Sequence, residues 1–271
     1  MAPVIISVAN RKGGTGKSTT AVHLAAGIAR RGRRTLLIDL DTLGHAGLLL
    51  GLQAKPGSVT SHDLITSAGG ADLSPAVMDS PVNGLDVICA DRNRGPGENG
   101  AKPLALRNLL LADENVDRYE AVVIDTAPAY DQSLVVALAA SDAVLIPFVP
   151  HPLAVEGIRQ FMRIALMIRM KLNPGLKSFG MVATQMNQQS ALHRHVVESV
   201  RHEFGASRLV GAIRSDIQLA RCAASHMPIY DLYPASRGAS DYHLLTEAVI
   251  SGWFGTRDVV YAEAAKTSAR V

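Results

Sequence analysis

Apolar residues in this chain gather into short, nearly unbroken runs, and between the runs the spacing loosens to a helical period. Runs rich in aliphatic and β-branched residues lie at positions 4–8, 34–40, 85–89, 121–125, 143–149, 178–184 and 209–212. Stretches with apolar positions three to four apart include 18–31, 153–171, 191–204 and 239–251. Unalternating runs of this length are the mark of strands covered on both faces. Their alternation with helical stretches predicts an α/β fold, a doubly wound and mainly parallel sheet with helices on both faces. Segments 69–84 and 92–103 carry too much Gly, Pro and Asn for core elements and read as surface loops. Pro147 sits inside an apparent strand, so it marks either the strand's end or a position whose amide faces no neighbour.

Composition narrows the class. A chain of 271 residues that is 48% hydrophobic can bury a substantial core, and one domain over 1–271 is expected, with a C-terminal helix or tail at 255–271. Aromatic residues make up only 4%, which suits small-residue helices packed on a parallel sheet and disfavours an all-β sandwich. The N-terminus enters an apolar run directly, without the basic region or cleavage pattern of a secretion signal. No apolar run approaches the ~20 residues of a membrane span. The expectation is a cytoplasmic protein without stable membrane insertion. Cys89 and Cys222 lie in no metal-binding or redox spacing and read as free buried thiols.

Charge is unevenly placed. Residues 1–150 hold 13 Lys+Arg against 15 Asp+Glu, whereas 151–271 hold 14 against 9. The C-terminal half is therefore the candidate surface for an anionic partner, although scattered solvated arginines would give the same count.

The chemistry is concentrated in Asn10 to Thr20, which reads NRKGGTGKSTT and falls between an apolar run and a helical stretch. Glycines there let successive backbone amides turn onto phosphate oxygens at the positive end of the following helix. Gly13, Gly14, Thr15, Gly16, Lys17, Ser18 and Thr19 form the candidate phosphate cradle. In it Lys17 reaches the β- and γ-phosphates and the Ser18 hydroxyl ligates Mg²⁺. The first Gly of the ordinary P-loop pattern would fall at Arg11, so that pattern is not met; a second lysine, Lys12, stands near the loop's start instead. A further apolar strand, TLLIDLD (35–41), ends in Asp39 and Asp41, whose side chains share one face of an extended segment. A third, AVVIDTAP (121–128), ends in Asp125.

KGGTGKS resembles the signature of the deviant Walker A ATPases, the group that includes ParA, MinD and the nitrogenase iron protein. The resemblance implies ATP and Mg²⁺ as cofactors and an ATP-dependent homodimer in which Lys12 reaches the partner's nucleotide, much as an arginine finger does. It places Asp39 in the Mg²⁺ shell, gives Asp41 the attacking water, and assigns Asp125 to Mg²⁺ through water as the Walker B residue, with 126–128 as a switch.

Similarity to the ParA partition proteins extends over roughly 4–250, through PFVPHPLAVEGI (147–158) and PIYDLYPASRGASDY (228–242). By that similarity the adenine lies near 184–187 and 233–236, with Asn187 and Pro234 as contacts. The chain departs from the usual DLDPQGN at 39–45, where it reads DLDTLGH, and carries Arg221 where an acidic residue is common.

The family implies a slow ATPase whose dimer binds nonspecific DNA on the nucleoid and is released by a ParB-like or other cargo adaptor, segregating a plasmid or chromosome. Arg194, Arg201, Arg214, Arg221 and Arg237 are the candidate phosphate contacts, and no base-reading motif accompanies them. ParA-like positioning of a protein cargo is the alternative. MinD-like membrane association is disfavoured because the tail is Ala-rich and weakly amphipathic, with Trp253 and Phe254 read as core packing. Electron transfer would need cysteines beside the switches, and Cys89 and Cys222 are elsewhere. His193 and His195, two apart on a helix, point to different faces and predict no transition-metal site.

Overall fold

The computed structural model describes residues 2–66, 72–94 and 100–254. One sheet contains β1 (Val4–Val8), β2 (Thr35–Asp39), β3 (Val77–Asp79), β4 (Leu85–Ile88), β5 (Ala121–Asp125), β6 (Ala143–Phe148), β7 (Ser178–Met186) and β8 (Leu209–Arg214). Their order is β3-β4-β2-β5-β1-β6-β7-β8. All pairings are parallel except β3 with β4. The seven apolar runs read from the sequence are the seven parallel strands. β3 is a correction: it lies in a segment read as loop, because its three partly exposed residues take their extended form from the free edge of β4 and not from a local pattern.

Among the described residues ten α-helices lie between or after the strands: α1 (Lys17–Ala29), α2 (His45–Leu48), α3 (Ser61–Thr66), α4 (Ala105–Ala112), α5 (Gln132–Ala140), α6 (Ala154–Lys171), α7 (Ala191–Phe204), α8 (Ile217–Ser225), α9 (Ile229–Leu232) and α10 (Arg237–Val249). Several starts are fixed by side-chain caps. Asp131 accepts from the Leu134 amide, Ser190 from His193, Asp216 from Gln218 and Ser236 from Ala239.

Strand pleating sends alternate residues to the two layers. Ala121 and Val123 of β5 pack with α1, α8, α9 and α10, while Val122 and Ile124 pack with α3, α4 and α5. Beyond β1 the second layer continues with α6 and α7 against β6 and β7. Pro147 remains inside β6, paired with Val182. The Leu145 carbonyl, on the same edge two residues earlier, takes the amide of Ala9, and the Pro147 carbonyl takes the Asn10 side chain (2.7 Å). The missing amide thus faces past the end of β1, where no ladder bond is lost.

Phe254 is buried and Trp253 partly buried against the α1 layer, as read from the sequence. Cys89 and Cys222 are buried and free. The tail expected at 255–271 lies outside the described residues. Among the described residues no helix is long and apolar enough to cross a membrane.

Candidate functional site

Parallel register places the candidate residues on one edge. Val8 of β1 stands opposite Asp125 of β5, and Asp125 opposite Asp39 of β2. The loop leaving β1 and both carboxylates therefore meet outside the C-terminal ends of three adjacent strands, where open α/β sheets form ligand sites.

The loop from Asn10 to Gly16 is built around left-handed glycines. Gly14 (φ 71°) and Gly16 (φ 78°) adopt a conformation that costs an L side chain, while a Cβ at Gly14 would meet nothing within 4 Å. Backbone shape, and not space, requires glycine at 14. Among the described residues, the amides of Gly13 through Thr19 have no protein acceptor, so the loop and first turn of α1 present a row of open donors. Lys17 is buried, and its Nζ donates to the Lys12 carbonyl (3.3 Å). Desolvation lowers its pKa, opposed by the charges of Asp125 and Asp41.

The three carboxylates differ in what holds them. Asp39 is fully buried and accepts from three amides: Asp41 (3.0 Å) on Oδ1, Ala46 (3.0 Å) and Gly47 (3.2 Å) on Oδ2. Its pKa is nonetheless pushed up to about 7, first by desolvation and then, against those bonds, by the Asp41 charge. Asp125, also fully buried, is held well above the usual carboxylate range by desolvation and by the Asp39 charge, with the Ser18 hydroxyl and Lys17 pulling the other way. Its Oδ1 accepts from the Thr126 amide (3.1 Å), while Oδ2 is buried with no hydrogen bond among the described residues, the Ser18 hydroxyl lying near without closing one. An orphaned carboxylate oxygen beside a second buried carboxylate and a serine hydroxyl is an oxygen-donor set short of a cation, and it fits Mg²⁺. Asp125 and Ser18 have capacity to spare for such an ion; Asp39 has spent most of its own on amides. Asp41 accepts from the Leu43 amide (3.0 Å) and lines the cavity directly.

Two adjoining cavities follow from this edge. One, of about 660 Å³, is bounded by the phosphate loop, Asp41, Leu43, His45 and His226. The other, of about 510 Å³, lies between Thr184, Gln185, Tyr242 and the β8–α8 connection at Arg214 to Ile217. Gly16, Thr19 and Ala223 border both. Phosphate donors on one side and a second chamber beside them suit a nucleotide lying across α1. Of the residues placed near the adenine by similarity, Thr184 lines the second chamber, whereas Asn187 and Pro234 do not. Asn187 is exposed and turned to its own loop, accepting from the Gln189 amide (3.0 Å). Residues 215–217 were not anticipated; their position immediately after a parallel strand's C-terminal end was the available signal.

Lys12 is exposed, with no ion-pair partner among the described residues. The five candidate arginines do not share a layer. Arg194 and Arg201 are on α7, while Arg221 and Arg237 are on α8 and α10 across the sheet. Arg214 is committed internally. Its guanidinium grips Asp241 through two nitrogens (2.9 and 2.7 Å), and its amide donates to the same carboxylate (2.8 Å). His193 Nδ1 accepts from the Asn187 amide (3.2 Å), a loop contact.

Comparison with known proteins agrees with this geometry. An AAA domain family matches residues 4–178. The chromosome partitioning protein ParA of Caulobacter vibrioides is 33% identical over 254 residues, covering 91% of this chain and 94% of that protein. The chromosome-partitioning ATPase Soj of Thermus thermophilus is 34% identical over 248 residues, covering 91% and 95%. Among solved structures, a plasmid partition protein of Borrelia burgdorferi bound to AMPPNP superposes with a TM-score of 0.77 at 26% identity, covering 92% of this chain and 99% of that one.

Proposed function

The chain belongs to the ParA family of partition ATPases, and from that membership we propose that it binds ATP with Mg²⁺, dimerises on the triphosphate and hydrolyses it slowly. In this reading the ATP dimer holds nonspecific DNA on the nucleoid, and a ParB-like partner stimulates hydrolysis and so releases it. The observation that carries the proposal is the buried, unpartnered Oδ2 of Asp125, level with the open amides of the phosphate loop and beside Lys17 and Ser18.

Each residue then has a task. The amides of Gly13 to Thr19 and the Lys17 ammonium bind the phosphates, and Asp125 and Ser18 hold Mg²⁺, with Asp39 behind them. Bound there, Mg²⁺ neutralises charge on the phosphate oxygens. Asp41 orients the water that attacks the γ-phosphorus; the bond to the bridging oxygen breaks, and ADP and phosphate leave. Thr126, whose hydroxyl donates to the Val8 carbonyl (3.0 Å), ties the segment after Asp125 to the strand that bears the loop, which supports a switch role for 126–128. An exposed Lys12 without an ion pair among the described residues supports its reaching a second subunit's phosphates. Dimer formation and nucleotide loading are then one event, and hydrolysis changes a population. Arg194, Arg201, Arg221 and Arg237 are the proposed DNA contacts, with Arg214 withdrawn from that set because Asp241 occupies it.

Sedimentation of the full chain with AMPPNP and Mg²⁺ tests this reading. We expect a dimer that reverts to monomer with ADP, and a Lys12→Gln variant that binds the analogue yet stays monomeric. A wild-type protein that remains monomeric with saturating AMPPNP would end the proposed switch.

A further inference from the structure

Only two non-glycine residues among the described ones have positive φ, Gln185 (50°) and His226 (56°), and both border the nucleotide cavities. A left-handed glutamine persists only where its surroundings over-determine it. At Gln185 the surroundings can be named. The interval from Ala183 to Met186 on β7 faces the shorter interval from Ala212 to Arg214 on β8, so one residue is extruded from the ladder at the cavity's edge. Extrusion brings two successive side chains onto the phosphate loop. Gln185 Nε2 donates to the Gly14 carbonyl (2.9 Å), and the Thr184 hydroxyl donates to the Thr15 carbonyl (2.9 Å).

We infer that Gln185, with Thr184, is a positioning residue that aims the phosphate loop's amides. This rests on reading the cavity as the nucleotide site. In a planar trans peptide the C=O and the following N–H point opposite ways. Holding the Gly14 carbonyl against β7 therefore turns the Thr15 N–H away from β7, and holding the Thr15 carbonyl does the same for the Gly16 N–H. Both amides lack a protein acceptor among the described residues, so the two bonds leave them pointed and open. Gly14 and Gly16 have positive φ and little conformational preference of their own, and without an external hold these peptides could rotate. The left-handed backbone at 185 is the geometry that delivers the glutamine amide to the Gly14 carbonyl.

The test uses the full-length protein, with ADP·Mg²⁺ as probe. Gln185→Met keeps the volume and removes the donor; Gln185→Gly removes the donor and relieves the backbone. Both should weaken ADP·Mg²⁺ by about three- to tenfold, the range one hydrogen bond supports. Both should also shift the ³¹P resonance of a bound phosphate, while the thermal midpoint of nucleotide-free Gln185→Met, whose backbone is unchanged, stays at the wild-type value. Gln189→Ala, an exposed neighbour outside the cavity, should bind as wild type does. Wild-type affinity and an unmoved ³¹P spectrum in Gln185→Met would overturn the inference, as would wild-type affinity in Gln185→Gly. A wild-type protein that does not bind ADP·Mg²⁺ would instead remove the nucleotide site itself.

Discussion

Acidification should unload a specific amount of stability through His23. This side chain is wholly buried on α1, one turn beyond the phosphate loop, with its ring stacked on Tyr242 (centroids 4.7 Å apart, 19° between planes). Nδ1 lies 2.7 Å from the Thr19 carbonyl, and Nε2 accepts from the Ile229 amide at 3.1 Å. Because Nε2 faces a donor, only the neutral tautomer with its proton on Nδ1 fits; a second proton would point at the Ile229 N–H. Burial accordingly lowers the pKa from 6.5 to about 4.

Between those values the unfolded chain binds one proton more than the folded one, so stability rises with pH. The contribution is complete above pH 6.5 and is lost as pH falls toward 4. The shift corresponds to about 3 kcal/mol in total, of which about 2 kcal/mol is gone by pH 5. Urea unfolding of wild type and His23→Phe from pH 8 to 4 reads it directly, since the difference between the two cancels every other titrating group. The variant should be less stable by about 1–3 kcal/mol near pH 8, where the Ile229 amide has lost its acceptor. That gap should close as pH falls. Parallel curves through this window would refute the argument.

Other expectations follow from single contacts. A Cβ on Gly27 would lie 2.4 Å from Thr246 Oγ1 and 2.8 Å from the Tyr230 hydroxyl. Gly27→Ala should therefore cost about 1–3 kcal/mol by overpacking α1 against α10, despite a helix-propensity gain of about 1 kcal/mol, and Thr246→Ala should restore part of it in chemical denaturation. Asp241→Ala strips Arg214 of its partner and should destabilise by about 2–3 kcal/mol, while Arg214→Ala should leave the salt slope of DNA retention unchanged. Desolvation lifts the Cys89 thiol to about 12 and Cys222 to about 11, so neither should react with Ellman's reagent near pH 8 until denaturant is added.

Seven parallel strands and the phosphate loop were legible in the chain because each depends on residues close in sequence: an apolar run covered on both faces, glycines bounding a lysine, an aspartate closing a strand. β3 was not legible, since its pairing with β4 and not its own three residues makes it a strand. Arg214 read as a surface cation until the fold set Asp241 beside it, 27 positions away. Asn187 and Pro234 were placed by similarity, yet the second chamber is bounded by residues 214–217, which a parallel strand delivers to the same sheet edge.

By itself, then, the sequence determined the class of fold, the phosphate-binding loop and the three carboxylates. Those features are written in periodicity and in spacings of a few residues. Tertiary structure alone decided which carboxylate keeps an unpartnered oxygen, which arginine is spent, and what aims the loop. The Gln185–Gly14 and His23–Ile229 bonds span 171 and 206 residues. A contact at such separation exists only after the chain has closed the sheet around it, so no local pattern announces it.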